Sequence, residues 1–120
     1  MRRKSPARLA LVVILVGMLA GPAASAQAAS AVVDMKDLAY SPATIQVMPG
    51  DTITWTNSEE IMPHDVASGT LGQPDIGQLF SSPILMPGES FTAMFPEPGE
   101  FVYLCKLHPA MIGVVIVQPS

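Results

Sequence analysis

The residues most able to do chemistry are the single cysteine and the two histidines of the chain, together with one methionine. Cys105, His108 and Met111 recur at intervals of three in the segment Cys-Lys-Leu-His-Pro-Ala-Met, and His64 lies well upstream. A thiolate, two imidazoles and a thioether form the ligand set of a blue-copper centre, in which the methionine is a weak axial ligand. Zinc also accepts cysteine and histidine but gains little from a thioether. The residue types therefore predict one type 1 copper ion bound by His64, Cys105, His108 and Met111.

Each of these residues taken singly has a more ordinary explanation. A lone histidine is more often a surface or core residue, a lone cysteine is often a small buried hydrophobe, and methionine fills gaps in cores. The four residues together predict a metal site better than each does alone, because every histidine and cysteine of the chain lies at a spacing typical of metal ligands. The remaining methionines beyond the N-terminal segment form no cluster and are interpreted as core or rim residues.

The N-terminal segment has the composition of a secretory signal peptide. Four basic residues within positions 1–8 precede twelve residues without a polar side chain, and Ala24-Ser25-Ala26 follows as a small-residue cleavage signal. As a helix the apolar run would cover only about 18 Å, against about 30 Å for a hydrocarbon core. We expect cleavage after Ala26, or alternatively after Ala28, and export to the periplasm or the extracellular space. An uncleaved membrane anchor is the alternative.

Residues 27–120 are then expected to form one small, acidic domain. This part of the chain holds all ten acidic residues but only two basic ones, Lys36 and Lys106, so its formal charge is −8. Such a charge argues against binding to nucleic acid and favours solubility and basic partners. A single cysteine in an exported protein cannot form an internal disulfide. A metal held by Cys105 would both protect the thiol and stabilise the fold.

The pattern after the N-terminal segment is typical of short β-strands separated by turns. Residues 52–56 alternate hydroxyl and apolar side chains, as expected of a half-buried strand. Proline-glycine turns precede this strand and the strand at 90–95. Seven or so strands at near-regular spacing indicate an all-β antiparallel sandwich or barrel. The predicted strands are 31–38, 44–48, 52–56, 64–67, 90–95, 100–105 and 113–117, with an irregular connection over 69–83.

With these features in view, the sequence resembles the cupredoxins, and within them the plastocyanin/amicyanin group. The resemblance rests on Cys105-x-x-His108-Pro109-x-Met111 preceded by Tyr103, and the gap between histidine and methionine is most similar to that of amicyanin. It extends over the segments 49–57, 62–66 and 98–103, and so covers nearly all of residues 27–120. The resemblance implies a Greek-key β-sandwich of seven to eight strands with copper under one end.

The resemblance also implies an electron port at the exposed edge of His108. An apolar patch that includes Met62, Pro63, Pro109 and Ala110 is expected around it. Two positions depart from the group: Asp65 replaces a common asparagine, and Leu104 precedes the cysteine with no derivable consequence. The Asp65 carboxylate is expected either to join two loops through backbone N–H groups or to tune the copper.

Three functions remain open at this point. The leading hypothesis is an exported, monomeric electron carrier, and not an enzyme, that exchanges single electrons with larger redox proteins, at least one of them with a basic docking face. Membrane association is expected only if the N-terminal segment is retained. The second is a copper-binding or delivery protein, and the third is a metal-free interaction module. Cu(II) binding with an intense thiolate charge-transfer band distinguishes the first from the other two.

Overall fold

The structure, a computed structural model, describes residues 27–120, and the predicted signal peptide 1–26 lies outside them. The described part is all β, which confirms the predicted fold class. Within it, no helix has the length and apolar character needed to cross a membrane. The strands are β1 Ser30–Lys36, β2 Ala39–Ser41, β3 Thr44–Val47, β4 Asp51–Asn57, β5 Ala67–Ser68, β6 Ser90–Phe95, β7 Gly99–Cys105 and β8 His108–Val117.

The eight strands form two four-stranded sheets. One has the order β2-β1-β4-β6 and the other the order β3-β8-β7-β5. Strand β4 shows why the sequence makes such sheets: Ile53 and Trp55 are fully buried between the sheets, while the alternate threonines face outward. On that outer face the hydroxyls of Thr54 and Thr92 are hydrogen-bonded across the strands at 2.8 Å.

The predicted sandwich is confirmed, but its description as antiparallel needs correction, because two of the strand pairs are parallel. Strand β1 runs parallel to β4, and β3 runs parallel to β8; the other pairs are antiparallel. The reason lies in the connections, because the chain crosses to the second sheet at β3 before it returns as β4. A strand that re-enters a sheet after such a crossing can run in the same direction as its neighbour. Turn signals and side-chain alternation do not encode this choice.

Several predicted boundaries also need correction. The strand predicted at 31–38 ends at Lys36, since Asp37 and Leu38 form a turn with positive φ values of 54° and 58°. The three-residue strand β2 was not predicted, because three residues are too few for a clear alternation. The strand predicted at 64–67 shrinks to β5, with His64 in an isolated bridge to Leu85. Strand β8 begins at His108 rather than at residue 113.

The core between the sheets continues up to the cysteine. Trp55 and Tyr103 are fully buried, with ring centroids 5.3 Å apart, and Cys105 and Met111 belong to the same apolar cluster. Gly113 is required here because a Cβ at this position would overlap the Tyr103 ring. The close approach of Tyr103 to the β8 backbone holds the end of the β7–β8 pair against the core.

Candidate metal centre

The cysteine and the second histidine are brought together by a tight hairpin between β7 and β8. Cys105 is the last residue of β7, His108 is the first of β8, and the two are paired across a two-residue turn. An irregularity in the strand register falls between Leu104 and Cys105. Such irregularities redirect side chains, and here both Leu104 and Cys105 are buried although they are adjacent.

His64 is positioned from a different part of the chain by backbone pairing. Its N–H donates to Leu85 O at 3.0 Å, and its carbonyl accepts from Leu85 N–H at 2.7 Å. The buried amide of Asn57, at the end of β4, donates to the carbonyls of both Met62 and Leu85, at 2.8 and 2.9 Å. The loop before His64 is thereby tied to the segment that pairs with it, and the imidazole is fully buried.

Three of the four predicted ligands converge in the structure. The Cys105 Sγ atom lies 3.9 Å from His64 Nδ1 and 3.8 Å from His108 Nδ1. One ligand atom from each of the three residues lies within 4.8 Å of the other two. Metal bonds of about 2.1 Å to imidazole and about 2.3 Å to thiolate, at an angle of about 120°, place sulfur and nitrogen about 3.8 Å apart. The residues therefore fit one metal ion held by Sγ and both Nδ1 atoms.

Met111 lies on β8 three residues after His108, with its side chain 2% exposed and in the same core cluster as Cys105. Its neighbours Ala110 and Ile112 point outward. The alternation of β8 thus turns the Met111 thioether toward the interior, on the side of the sheet that a metal at the cysteine would occupy. Its role as the axial ligand stays a prediction.

The surroundings of Cys105 favour a bound cation. Burial raises the pKa of the Cys105 thiol, while backbone N–H groups of Asp65, His108 and Leu107 act in the opposite direction. The N–H of Asp65 donates to Sγ at 3.4 Å. A metal ion would supply the positive charge that the buried thiolate lacks, and these N–H groups would then moderate its charge.

Asp65 joins the two loops that carry the site. Its Oδ1 accepts the backbone N–H of Lys106 at 2.6 Å, and its Oδ2 lies 3.7 Å from Lys106 Nζ. The carboxylate is nearly fully buried. Of the two roles expected for Asp65, the joining of two loops is thus visible in the structure. Tuning of the copper by this carboxylate stays a hypothesis.

Sequence reasoning missed three residues that hold the site. Asn57 and Glu59 organise the loop before His64, and the Tyr40 hydroxyl donates to Asp65 O at 2.7 Å. Burial raises the pKa of Tyr40 far above its ordinary value, so the phenol stays a neutral donor. One signal was available, because the polar Asn57 continues the buried positions of β4. Nothing in the sequence pairs Tyr40 with Asp65, since that contact spans 25 residues.

The two histidines differ in their access to solvent. His64 is fully buried, whereas His108 is partly exposed and is followed by the exposed Pro109 and Ala110. Leu107 is 40% exposed on the same hairpin. Electrons could therefore reach a metal at this site from outside by way of His108, while His64 is shielded by protein.

The fold and the site together define a cupredoxin: two packed β-sheets with a His, Cys, His cluster at one end. The family described as copper binding proteins, plastocyanin/azurin family, matches residues 27–118. The chain belongs to this family.

Individual relatives agree with this membership. The chain is 35% identical to amicyanin from Paracoccus denitrificans, in a match that covers 81% of this chain and 73% of that one. It is also 35% identical to chloroplastic plastocyanin from Tetradesmus obliquus, in a match that covers 71% of this chain and 62% of the relative. Among solved structures, a purple cupredoxin from Nitrosopumilus maritimus matches with a TM-score of 0.64 and 32% identity, covering 75% of this chain and 99% of that one.

Proposed function

We propose that this protein is an electron carrier that binds one type 1 copper ion through His64, Cys105, His108 and Met111. The observation that carries the proposal is the convergence of Cys105 Sγ and the two histidine Nδ1 atoms, at 3.8 and 3.9 Å, under one end of the sandwich. When bound there, copper supplies one-electron redox chemistry. Membership in the plastocyanin/azurin family supports this chemistry.

The chain's own residues would keep the geometry of the centre constant. Asn57, Asp65 and Tyr40 fix the two loops that carry the ligands through hydrogen bonds of 2.6–2.9 Å. Since these bonds do not involve the ligand atoms, they hold the cavity in one shape whichever charge it contains. A small rearrangement between the two oxidation states means a low barrier to electron transfer. The partly exposed ring of His108 provides the route to a partner.

Acidic surface charge supports a basic partner. Residues 27–120 carry a formal charge of −8, which would steer a basic redox protein toward this chain at long range. The exposed Leu107, Pro109 and Ala110 would then make the close contact. We propose a monomer that is exported, with residues 1–26 removed as a signal peptide. The expected rate with a basic redox protein falls as ionic strength rises, because the Debye length is only about 8 Å at physiological salt.

Copper delivery is the second candidate, and catalysis is not proposed. The ligand set is closed, since three buried or partly buried donors and the buried Met111 leave no position for a substrate. A delivery site is expected to expose its methionines near the metal. Met48, Met86 and Met94 are exposed, but they lie on separate segments of the chain, so they do not support delivery.

Titration of the metal-free protein with Cu(II) tests the proposal. We expect one equivalent to bind, with an intense visible thiolate-to-copper band and reversible one-electron cycling. Tight Cu(I) binding without a stable coloured Cu(II) form would instead support delivery. Absence of binding would leave the protein as a metal-free sandwich and would overturn the proposal.

A further inference from the structure

The buried histidine has a carboxylate on the side opposite the cysteine. His64 Nδ1 faces Cys105 Sγ, while His64 Nε2 lies 3.1 Å from Glu59 Oε1. The imidazole is fully buried and the Glu59 side chain is 12% exposed. An imidazole that binds a metal through one nitrogen keeps its proton on the other and donates it to an acceptor. Glu59 is positioned to be that acceptor.

Glu59 is held in this position through its backbone. Its N–H donates to Asn57 Oδ1 at 2.9 Å, and the Nδ2 of the same amide donates to the carbonyls of Met62 and Leu85. The residue that fixes the His64 loop thus also fixes Glu59. One buried side chain at the end of β4 therefore helps to set both the carboxylate and the ring in place.

The turn between β1 and β2 contributes to the electrostatics of the Glu59 carboxylate. Asp37 and Leu38 both have positive φ values, 54° and 58°, as a two-residue type I′ turn requires. A bulky L residue such as leucine rarely adopts this conformation. The hydrogen bond with His64 is the main cause that holds the pKa of Glu59 below its usual value. Partial burial acts in the opposite direction, and the backbone N–H groups of Leu38 and Asp37 add to the lowering.

Asp65, the other carboxylate near the site, is differently engaged. It accepts the backbone N–H of Lys106 and has the ammonium group of Lys106 3.7 Å away. Among the described residues, no lysine or arginine forms an ion pair with Glu59. The negative charge of Glu59 is therefore directed at the imidazole without a neighbouring cation to offset it.

We propose that Glu59 is a positioning residue that sets the reduction potential of the copper centre through His64. A carboxylate that accepts the Nε2 proton makes the imidazole a stronger donor at Nδ1, which stabilises Cu(II) more than Cu(I). The residue thus lowers the reduction potential relative to a chain with a neutral group at this position. The inference rests on the proposed function, because it requires copper bound at His64.

The test compares Glu59→Gln with Glu60→Gln. Both variants remove one negative charge from adjacent positions, but Glu60 is exposed and makes no hydrogen bond to His64. We expect both to bind one copper with the visible band of the wild type. Glu59→Gln should lower the preference for Cu(II) over Cu(I) about tenfold, which is a rise of about 59 mV in reduction potential. Glu60→Gln should change the potential by a small fraction of that amount.

A second measurement separates this role from mere support of the loop. In the metal-free protein, ¹⁵N NMR should find the His64 proton on Nε2 in the wild type and in Glu60→Gln. Glu59→Ala should lose that preference. If Glu59→Gln does not fold, Glu59→Asp serves instead, because the shorter side chain keeps the charge but withdraws from Nε2 and should raise the potential in the same direction.

The outcomes distinguish the inference from the proposed function. Equal potentials for Glu59→Gln and Glu60→Gln, with the visible band intact, would overturn the inference and leave the copper site standing. A wild-type His64 proton on Nδ1 would also overturn it. A wild-type protein without the visible band would overturn both.

Discussion

The two histidines of the site occupy contrasting surroundings. On one side, His64 is fully buried, is paired through its backbone with Leu85 and has Glu59 at its second nitrogen. On the other, His108 begins β8 at a tight turn, is partly exposed and is followed by the exposed Pro109 and Ala110. The difference indicates that the two histidines have different roles. We expect the buried side to fix the geometry and the potential, and the exposed side to provide the contact with a partner.

The two roles follow from how each histidine is held by the rest of the chain. Several residues support His64, since Leu85 pairs with its backbone, Asn57 from β4 holds the loop before it, and Glu59 faces its second nitrogen. His108 depends on one hairpin, whose turn is only two residues long. A site that many segments support is hard to deform, whereas a hairpin at the surface can change its outer residues without disturbing the rest.

Loss of the Cys105 thiolate should have the largest effect, because both histidines share it as a partner. Cys105→Ser should abolish the visible band completely, because the thiolate supplies the charge-transfer transition and both histidines need it as a common partner at 3.8–3.9 Å. Absorption spectroscopy after addition of one equivalent of Cu(II) measures this. Lys106→Met, a change at the exposed neighbouring side chain, should keep the band. A coloured Cys105→Ser variant would refute the assignment of the thiolate.

Replacing each histidine by glycine tests whether the two histidine positions differ in their access to solvent. His108→Gly leaves a gap that solvent reaches, so added imidazole should restore the visible band. His64→Gly leaves a gap closed by protein, so restoration should require at least about tenfold more imidazole, which corresponds to a difference of about 1.4 kcal/mol. Equal imidazole requirements in spectroscopic titrations would show that the two sides do not differ in access.

The buried side should also dominate stability. Asn57→Ala removes the donors to Met62 O and Leu85 O and the acceptor for Glu59 N–H, all at 2.8–2.9 Å. Because Met62 O and Glu59 N–H lose these partners in a partly buried place, and Leu85 O keeps only the N–H of His64, we expect a loss of about 2–4 kcal/mol in the free energy of unfolding. Thr54→Ala, on the outer face of the same strand, should cost about 0.5 kcal/mol or less. Urea denaturation of the metal-free proteins measures the free energy of unfolding of both variants. Similar losses of this free energy for the two variants would contradict the role given to Asn57.

Met111, the proposed axial ligand, is expected to affect only the reduction potential. Met111→Leu should retain copper and colour but raise the reduction potential, because Cu(II) loses a weak donor. A tenfold change in the preference for Cu(II) corresponds to about 59 mV, which voltammetry resolves easily. Loss of copper from Met111→Leu would show that the axial assignment is wrong.

The smallest effect on the centre is expected from the exposed side. Ala110→Glu should leave the copper spectrum and potential unchanged while it slows electron exchange between two copies of the protein, since a charge then lies beside His108. NMR line broadening in mixtures of the oxidised and reduced protein measures that exchange. An altered spectrum would mean that the exposed hairpin also controls the geometry of the centre.

Much of this organisation was predictable from the sequence, and the exceptions have physical reasons. The grouping of His64, Cys105 and His108 was predictable because they are the only residues of their types. The sandwich was predictable because strands such as β4 alternate buried and outward side chains. The parallel pairing of β1 with β4 was not, since it depends on which sheet the intervening strand β3 joins.

The supports of the buried histidine were also beyond sequence reasoning. Glu59 and Glu60 are adjacent and identical in type, and only the folded loop decides which of them reaches His64. Leu38 was predicted as part of a strand, yet it adopts a positive φ in a turn. Such features depend on the folded loop or turn and leave no local pattern in the sequence.

A crystal structure of the copper-loaded protein tests the central claim most directly. We expect one copper ion bonded to Cys105 Sγ and to the Nδ1 atoms of His64 and His108, with Met111 sulfur as a longer fourth contact. His64 Nε2 should still face Glu59, and the edge of the His108 ring should remain open to solvent. Copper bound instead at surface carboxylates, or bonded to His64 through Nε2, would contradict the account.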